Sequence, residues 1–518
     1  MHSFLDRFRS SIKGVLSGFD RLVFRGHLRS LTYPRGMFGF LCDQQVLLKD
    51  FLPWAKERTD RVKADFAASA AAVGQDVAYL RCPSAKKEDL ARRRQDERKI
   101  CTGPVAFFSC VEPCRTWEVR KDRQAKRLVP AIGPGQCLHL YRYVDHAQFG
   151  FMHVRLQTWF PFTIQVCMNG REYLRRALER TGIRFEMRDN CFADIADWRQ
   201  AQELLNGMLD LDWIDVLDGC ADDVFPARRQ VVGDLRYQWS AFQSEWATDH
   251  AFVSTAALDA IYPALVRHAV TTSDTAAVLR FLGRPVTVRG TAYGTLQAEV
   301  TTRLTRRTEG ICVKHHVGAN SVKAYNKQGS VYRAETTIND PTGFTVYRRA
   351  QGGGRSKDWR PLRASVVDLK RRAEVSQQVN DRLLAHQATA ATDQPRGDLV
   401  ARTTKRVTWH RQRHRGLDLL GKDRLLVDLL ADPALALAGV RNAGLRERLK
   451  KHPDGRGKTD RQLSAMATRL LRLLRAHGII RKQPKSHRYQ LSESGTMIIS
   501  AVKSALSAST AKLVDLAA

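Results

Sequence analysis

The chain has no apolar run approaching the roughly 18 residues that a membrane-spanning helix needs. Its first residues, MHSFLDRFRSSIKG, carry charge where a signal peptide has an apolar core. A cytoplasmic protein with no membrane partner is expected. No CxxC pair occurs among the ten cysteines. Cys110 and Cys114 make a lone CxxxC beside a proline, and no second pair or histidine cluster completes four zinc ligands. Buried free thiols in a reducing compartment are expected. The motifs GxxxxGK[ST], HExxH and GxSxG are also missing, which removes support for nucleotide hydrolysis, a zinc protease or an α/β-hydrolase.

Acidic residues are the scarcest charged class: 53 Asp and Glu stand against 85 Lys and Arg, leaving a net charge of +32 at neutral pH. A potential of that sign attracts a polyanion, and counterions released from phosphates supply affinity independent of sequence. Nucleic acid is the expected partner, DNA first and structured RNA as the alternative. With 43% hydrophobic residues the chain has the material for folded cores, and 518 residues suggest two to four domains.

The expected fold class is α+β: a mixed or antiparallel sheet body with helical N-terminal and middle regions, followed by a C-terminal winged helix-turn-helix. Residues 1–100 read as a basic helical region and 101–195 as an α+β sheet domain with strands such as VAFFSC, CLHLYRY, FGFMHVRLQTW and FTIQVCM. Residues 196–285 return to helical periodicity. Residues 286–387 give a second strand block and a closing helix, and 388–416 lack periodicity and read as a basic linker.

From 417 to 518 the pattern is more specific. Two helices precede a third, in which Thr459 and Gln462 form a capping box and Leu463, Ala467, Leu470, Leu471 and Leu474 repeat at helical spacing until Gly478. Arg461, Arg469, Arg472 and Arg475 lie largely off that stripe, and strands IIRKQ and HRYQLS follow with Lys482, Lys485 and Arg488 around their turn. This order resembles the winged-helix regions of bacterial transcriptional regulators. The resemblance implies a third helix in the major groove and a wing on the backbone.

The chemistry-bearing segment is KHHVGANSVKAYNKQGSVYRAETTIN, residues 314–339. A loop at Gln328 to Ser330, with Gly329 taking the left-handed conformation, would put Lys323, Tyr325, Arg333 and Glu335 on one strand face. A tyrosine can attack a phosphodiester, cations can hold the developing charge, and a carboxylate can bind a divalent metal. A sheet face stabilised by charge pairs accounts for the same residues.

Tyr325-Asn326-Lys327 followed by Arg333-x-Glu335 resembles a segment of the rolling-circle replication initiators of plasmids, phages and mobile elements. The resemblance implies a nickase with Tyr325 as nucleophile, Lys323, Arg333 and Glu335 in support, Lys327 on nucleic acid, and Mg²⁺ or Mn²⁺ as cofactor. Such proteins carry a His-x-His strand, and this chain has none in its sheet segments. The metal ligands available beside Glu335 are His153, His315 and His316, so weak metal binding is expected.

On the sheet block, His139, Arg155 and Gln157 are candidates for a nucleic-acid-binding face. Asp20, Glu245 and Asp249 are further carboxylates, the last two read as one helical turn apart, and for each a cap or a surface ion pair is the simpler role. Trp159, Phe160 and Phe162 could stack on bases but are expected in the core. Two functions follow: a strand-cleaving and joining protein of a mobile element or replicon, or a non-catalytic component of a ribonucleoprotein or regulator.

Overall fold

The computed structural model describes residues 2–124, 126–284, 299–349, 357–389, 403–430, 439–483 and 486–507. The chain forms two compact units, one made of Ile12–Val253 with Ser330–Gln378, the other of Met1–Ser11, Ser254–Gly329 and Val379–Ala518. The fold is α+β.

In chain order the first strands are β1 (Ile12–Leu28), β2 (Val77–Tyr79), β3 (Gly103–Asp122), β4 (Arg127–His146), β5 (Gly150–Gln157) and β6 (Ile164–Asn169). A short hairpin of β7 (Phe185–Arg188) and β8 (Cys191–Ile195) follows, then β9 (Tyr237–Phe252). β10 (Val300–Arg307), β11 (Gly310–Val317) and β12 (Asn320–Lys327) precede β13 (Val331–Ile338).

The first unit is built on strands in the order β13-β9-β1-β6-β5-β4-β3-β2. Only the β2–β3 pair among them is parallel. Its strands between residues 101 and 195 draw on the segments VAFFSC, CLHLYRY, FGFMHVRLQTW and FTIQVCM, and GREYLRRALERT forms the helix Gly170–Thr181, capped by the Asn169 side chain.

Two strands depart from the helical expectation. β1 lies inside the N-terminal region read as helical, and β9, containing YQWSAFQSEWATDH, lies inside the middle one. Both are interior strands, and β9 is buried at every position from Trp246 to Phe252. A strand covered on both faces has no reason to alternate polar and apolar residues, so the period-2 signal vanishes where the strand is most central. Gly18 of β1 admits a neighbouring helix: a Cβ there would come 2.4 Å from Leu205 of the helix Trp198–Asn206.

The second unit holds the antiparallel strands β10, β11 and β12 and, toward the C-terminus, helices Arg424–Leu430, Asn442–Lys451, Asp460–Ala476 and Glu493–Ser507. The first of these helices begins only at Arg424, because Asp418 and Asp423 turn the chain before it: the Asp418 carboxylate accepts from the Gly421 amide at 2.9 Å, and Asp423 pairs with Arg415 at 2.6 Å.

Part of the expected linker is ordered. Residues 390–402 lie outside the described residues, but Val407–Trp409 pairs with Gln412–His414, and the Arg475 guanidinium sits 4.7 Å from the Trp409 ring centroid. Within the segment read as a basic linker, this hairpin places Trp409 beside Arg475, a contact that periodicity does not register.

Candidate functional site

The most chemically loaded place in the first unit is the junction of β13, β9 and β1. Register decides what meets there. Arg333 of β13 is opposite Asp249 of β9, Glu335 is opposite Ala247, and Thr337 is opposite Glu245. Positions two apart along a strand share a face, so Arg333, Glu335, Glu245 and Asp249 all project to one side. Glu245 and Asp249 are thus strand neighbours on one face, not residues one helical turn apart.

On β1 the register to β9 slips between Phe19 and Arg21, leaving Asp20 as the extra residue of a bulge. Bulges re-aim a side chain, and here the Asp20 carboxylate joins the cluster on the adjacent strands. Behind it, Gly170 opens the helix Gly170–Thr181. A Cβ at that position would lie 2.0 Å from the Phe19 carbonyl oxygen, so glycine is what lets the helix start, with Arg171, press against β1.

The hydrogen bonds are specific. Arg333 grips Asp249 with two donors, Nε to Oδ1 at 2.6 Å and Nη2 to Oδ2 at 2.8 Å, and its Nη1 lies 3.2 Å from Asp20 Oδ1. Arg171 Nη2 donates to the same Asp249 Oδ2 at 2.9 Å. Asn190, in the turn between β7 and β8, donates to Asp20 Oδ1 at 2.7 Å and offers its carbonyl to Arg333 Nη2 at 2.8 Å.

All the charged partners except Glu245 are almost wholly enclosed, Arg171 at 0% exposure and Glu335 and Arg333 at 1%. The two aspartates respond differently. Burial raises the Asp20 carboxyl above the usual carboxylate range although Arg333 opposes it. Burial would raise Asp249 as well, but Arg333 and Arg171 together hold it below that range.

Carboxylate oxygens of Asp20, Glu245 and Glu335 lie within 4.8 Å of one another. Hard oxygen donors so placed match the preference of Mg²⁺ or Mn²⁺. Among the described residues the metal-ready partners of Glu335 are these carboxylates, not the histidines named from sequence. His153 stands on β5 with its ring 4.8 Å from that of Tyr143, and burial lowers it to about 4. In the second unit His315 is buried, with Nδ1 2.9 Å from Thr302 Oγ1, and His316 takes the opposite side of β11.

The sequence-derived quartet comes from two neighbouring strands. Lys323 and Tyr325 belong to β12 of the second unit, and Arg333 and Glu335 to β13 of the first. The loop between these strands is where the sequence indicates, with Gln328 at φ 55 and Gly329 at φ 80. Tyr325 is 3% exposed, its ring 4.5 Å from the Arg307 guanidinium and 5.1 Å from the Lys323 ammonium. Lys327 is half-buried.

His139, Arg155 and Gln157 do share a face, because His139 pairs with Gln157 and Tyr141 with Arg155. Their polar atoms are turned inward: Arg155 reaches Glu112 at 2.7 Å, Gln157 donates to the Arg115 carbonyl at 2.9 Å, and His139 is 3% exposed. Phe160 and Phe162 are fully buried, and the Trp159 ring packs 6.2 Å from Phe51, so these aromatics are core.

At the C-terminus of the second unit the charges face outward. Thr459 and Gln462 form the reciprocal capping box, and Leu463, Ala467, Leu471 and Leu474 are buried below it. Arg461, Arg469 and Arg472 are exposed, and their spacing places them along one side of the helix with Ala465 between. Arg475 is instead half-buried, between the rings of Trp409 and Tyr489 at 4.7 and 5.7 Å. Ile480–Lys482 pairs with Tyr489–Leu491, and Val440 bridges to Tyr489 as a third short strand. Lys482 is exposed, Arg488 half-buried, and Lys485 lies outside the described residues.

No protein-family model, curated protein or solved structure matches the chain.

Proposed function

We propose that the chain is a nucleic-acid-binding protein whose C-terminal helices and hairpin act as a winged helix on duplex DNA. The observation that carries this reading is the outward stripe of Arg461, Arg469 and Arg472 on a helix whose other side is anchored by buried leucines. The three helices, the hairpin after the third, and the Val440 bridge to that hairpin have the element order of a winged helix-turn-helix. A net charge of +32 adds a long-range pull toward phosphates. The test is duplex binding by the full chain over a salt series. Retention of wild-type affinity and salt slope by an Arg461, Arg469, Arg472 triple alanine variant would remove the reading.

A second reading, metal-assisted strand cleavage by the body, is favoured by the convergence of Asp20, Glu245 and Glu335. Mg²⁺ or Mn²⁺ held there would polarise a phosphodiester and lower the pKa of a bound water. Arg333 and Arg171 would keep Asp249 ionised and the strands in register around it. The attacking group in this reading is a metal-bound water rather than the Tyr325 phenol. Cleavage that depends on Mg²⁺ or Mn²⁺, survives Tyr325→Phe and is lost in Glu335→Gln while duplex binding persists would support it. A covalent adduct on Tyr325 would restore the tyrosine nucleophile.

A further inference from the structure

A second cluster stands on the same unit, well apart along the sheet order, between β3 and β4. Cys114 of β3 and Cys137 and His139 of β4 each offer a ligand atom, and these atoms lie within 4.8 Å of one another. Cys137 and His139 are two apart on one strand and so share a face. Cys114 lies diagonally across from Cys137, since Cys114 pairs with Gly135 and Glu112 with Cys137.

The two sulfurs are 3.5 Å apart. A disulfide needs about 2.05 Å, and two thiolates on one tetrahedral zinc, with Zn–S near 2.3 Å, stand about 3.8 Å apart. The separation is therefore close to that of a shared cation.

His139 Nδ1 is 3.2 Å from the Cys137 carbonyl oxygen. Donating a proton there leaves Nε2 with its lone pair, which is how metal-ligating histidines are oriented by backbone carbonyls. The surrounding charges are already matched, with Glu112 taking Lys87 at 2.9 Å and Arg155 at 2.7 Å.

We infer that Cys114, Cys137 and His139 form a Cys₂His site for a thiophilic divalent cation, Zn²⁺, that staples β3 to β4 and leaves its fourth position to water. Two thiolates and a neutral imidazole suit a borderline-soft metal and disfavour Mg²⁺. Both cysteines are only partly buried, so metal and water have a route in. The site does not depend on the nucleic-acid reading, and no CxxC or Cx₂H spacing announces it in the sequence.

The test uses the full chain, purified with a non-thiol reductant, stripped with chelator and titrated with Co²⁺ alone. The expected result is a thiolate-to-cobalt charge-transfer band saturating at about one metal per chain and bleached by Zn²⁺. The band should weaken in Cys114→Ser and in Cys137→Ser, vanish in the double variant, and persist in Cys110→Ser. His139→Asn should keep the band but loosen binding by about 10-fold or more. Alkylation of the wild type, mapped by mass spectrometry, checks the same site without any variant: Zn²⁺ should shield Cys114 and Cys137 but not the exposed Cys82. No charge-transfer band in the wild type, equal alkylation with and without Zn²⁺, or a Cys114–Cys137 disulfide in freshly isolated protein would overturn the assignment.

Discussion

Arginine does opposite things in the two units. In the sheet unit Arg171 and Arg333 are enclosed, and Arg372 is too, its Nε donating to Ser244 Oγ at 2.6 Å and its Nη1 to the Ala241 carbonyl at 2.9 Å. On the third C-terminal helix of the other unit, Arg461, Arg469 and Arg472 stand in solvent. Both sets raise the same formal charge, yet only the second is open to solvent. Net charge identifies a class of partner; exposure decides which residues can meet it.

The sharpest way to break this comparison is to remove one arginine from each set. Arg333→Ala should cost about 3–5 kcal/mol in denaturant unfolding, because buried Asp20 would lose its 3.2 Å ion pair and buried Asp249 would keep only Arg171. Arg469→Ala should change stability by less than about 0.5 kcal/mol. Similar stability losses in both variants would erase the distinction.

A smaller effect sharpens the helical side. Thr459→Ala removes the capping-box hydroxyl and should cost about 1 kcal/mol, read from the same unfolding curves, with duplex affinity following only as far as the helix frays. The triple arginine variant should behave in reverse, holding stability while the salt slope falls by about one unit per lost phosphate contact.

The smallest effect concerns pH and the sheet unit alone. Zn²⁺ affinity at Cys114, Cys137 and His139 should fall as pH drops, because protons compete with the metal for the two thiols and the imidazole. The charged groups facing the site are Arg155 of β5, Glu112 of β3 and Lys87 of the helix Lys87–Arg98, already paired with one another. Isothermal titration between pH 6 and 8 measures the slope, and a flat profile would mean that no thiol proton is displaced.

The sequence by itself determined the features whose causes are local. A capping box is a four-residue contact, an amphipathic helix shows its buried side every third or fourth residue, and the turn at Gly329 follows from a backbone conformation that glycine adopts without strain. Most strands of residues 101–195 were legible for the same reason, and the excess of Lys and Arg needed only counting. The tertiary structure alone decided the rest. β9 is buried without alternation from Trp246 to Phe252, so Glu245 and Asp249 looked helical until the neighbouring strands were in place. Asp20 reaches Glu335, 315 positions on in the numbering, because a bulge in β1 and the register of β9 with β13 turn their side chains to one point. Cys114 meets Cys137 and His139 only through the pairing of β3 with β4. Periodicity reports how one segment is covered, whereas convergence depends on register between segments, and register is fixed by the packing of the whole sheet.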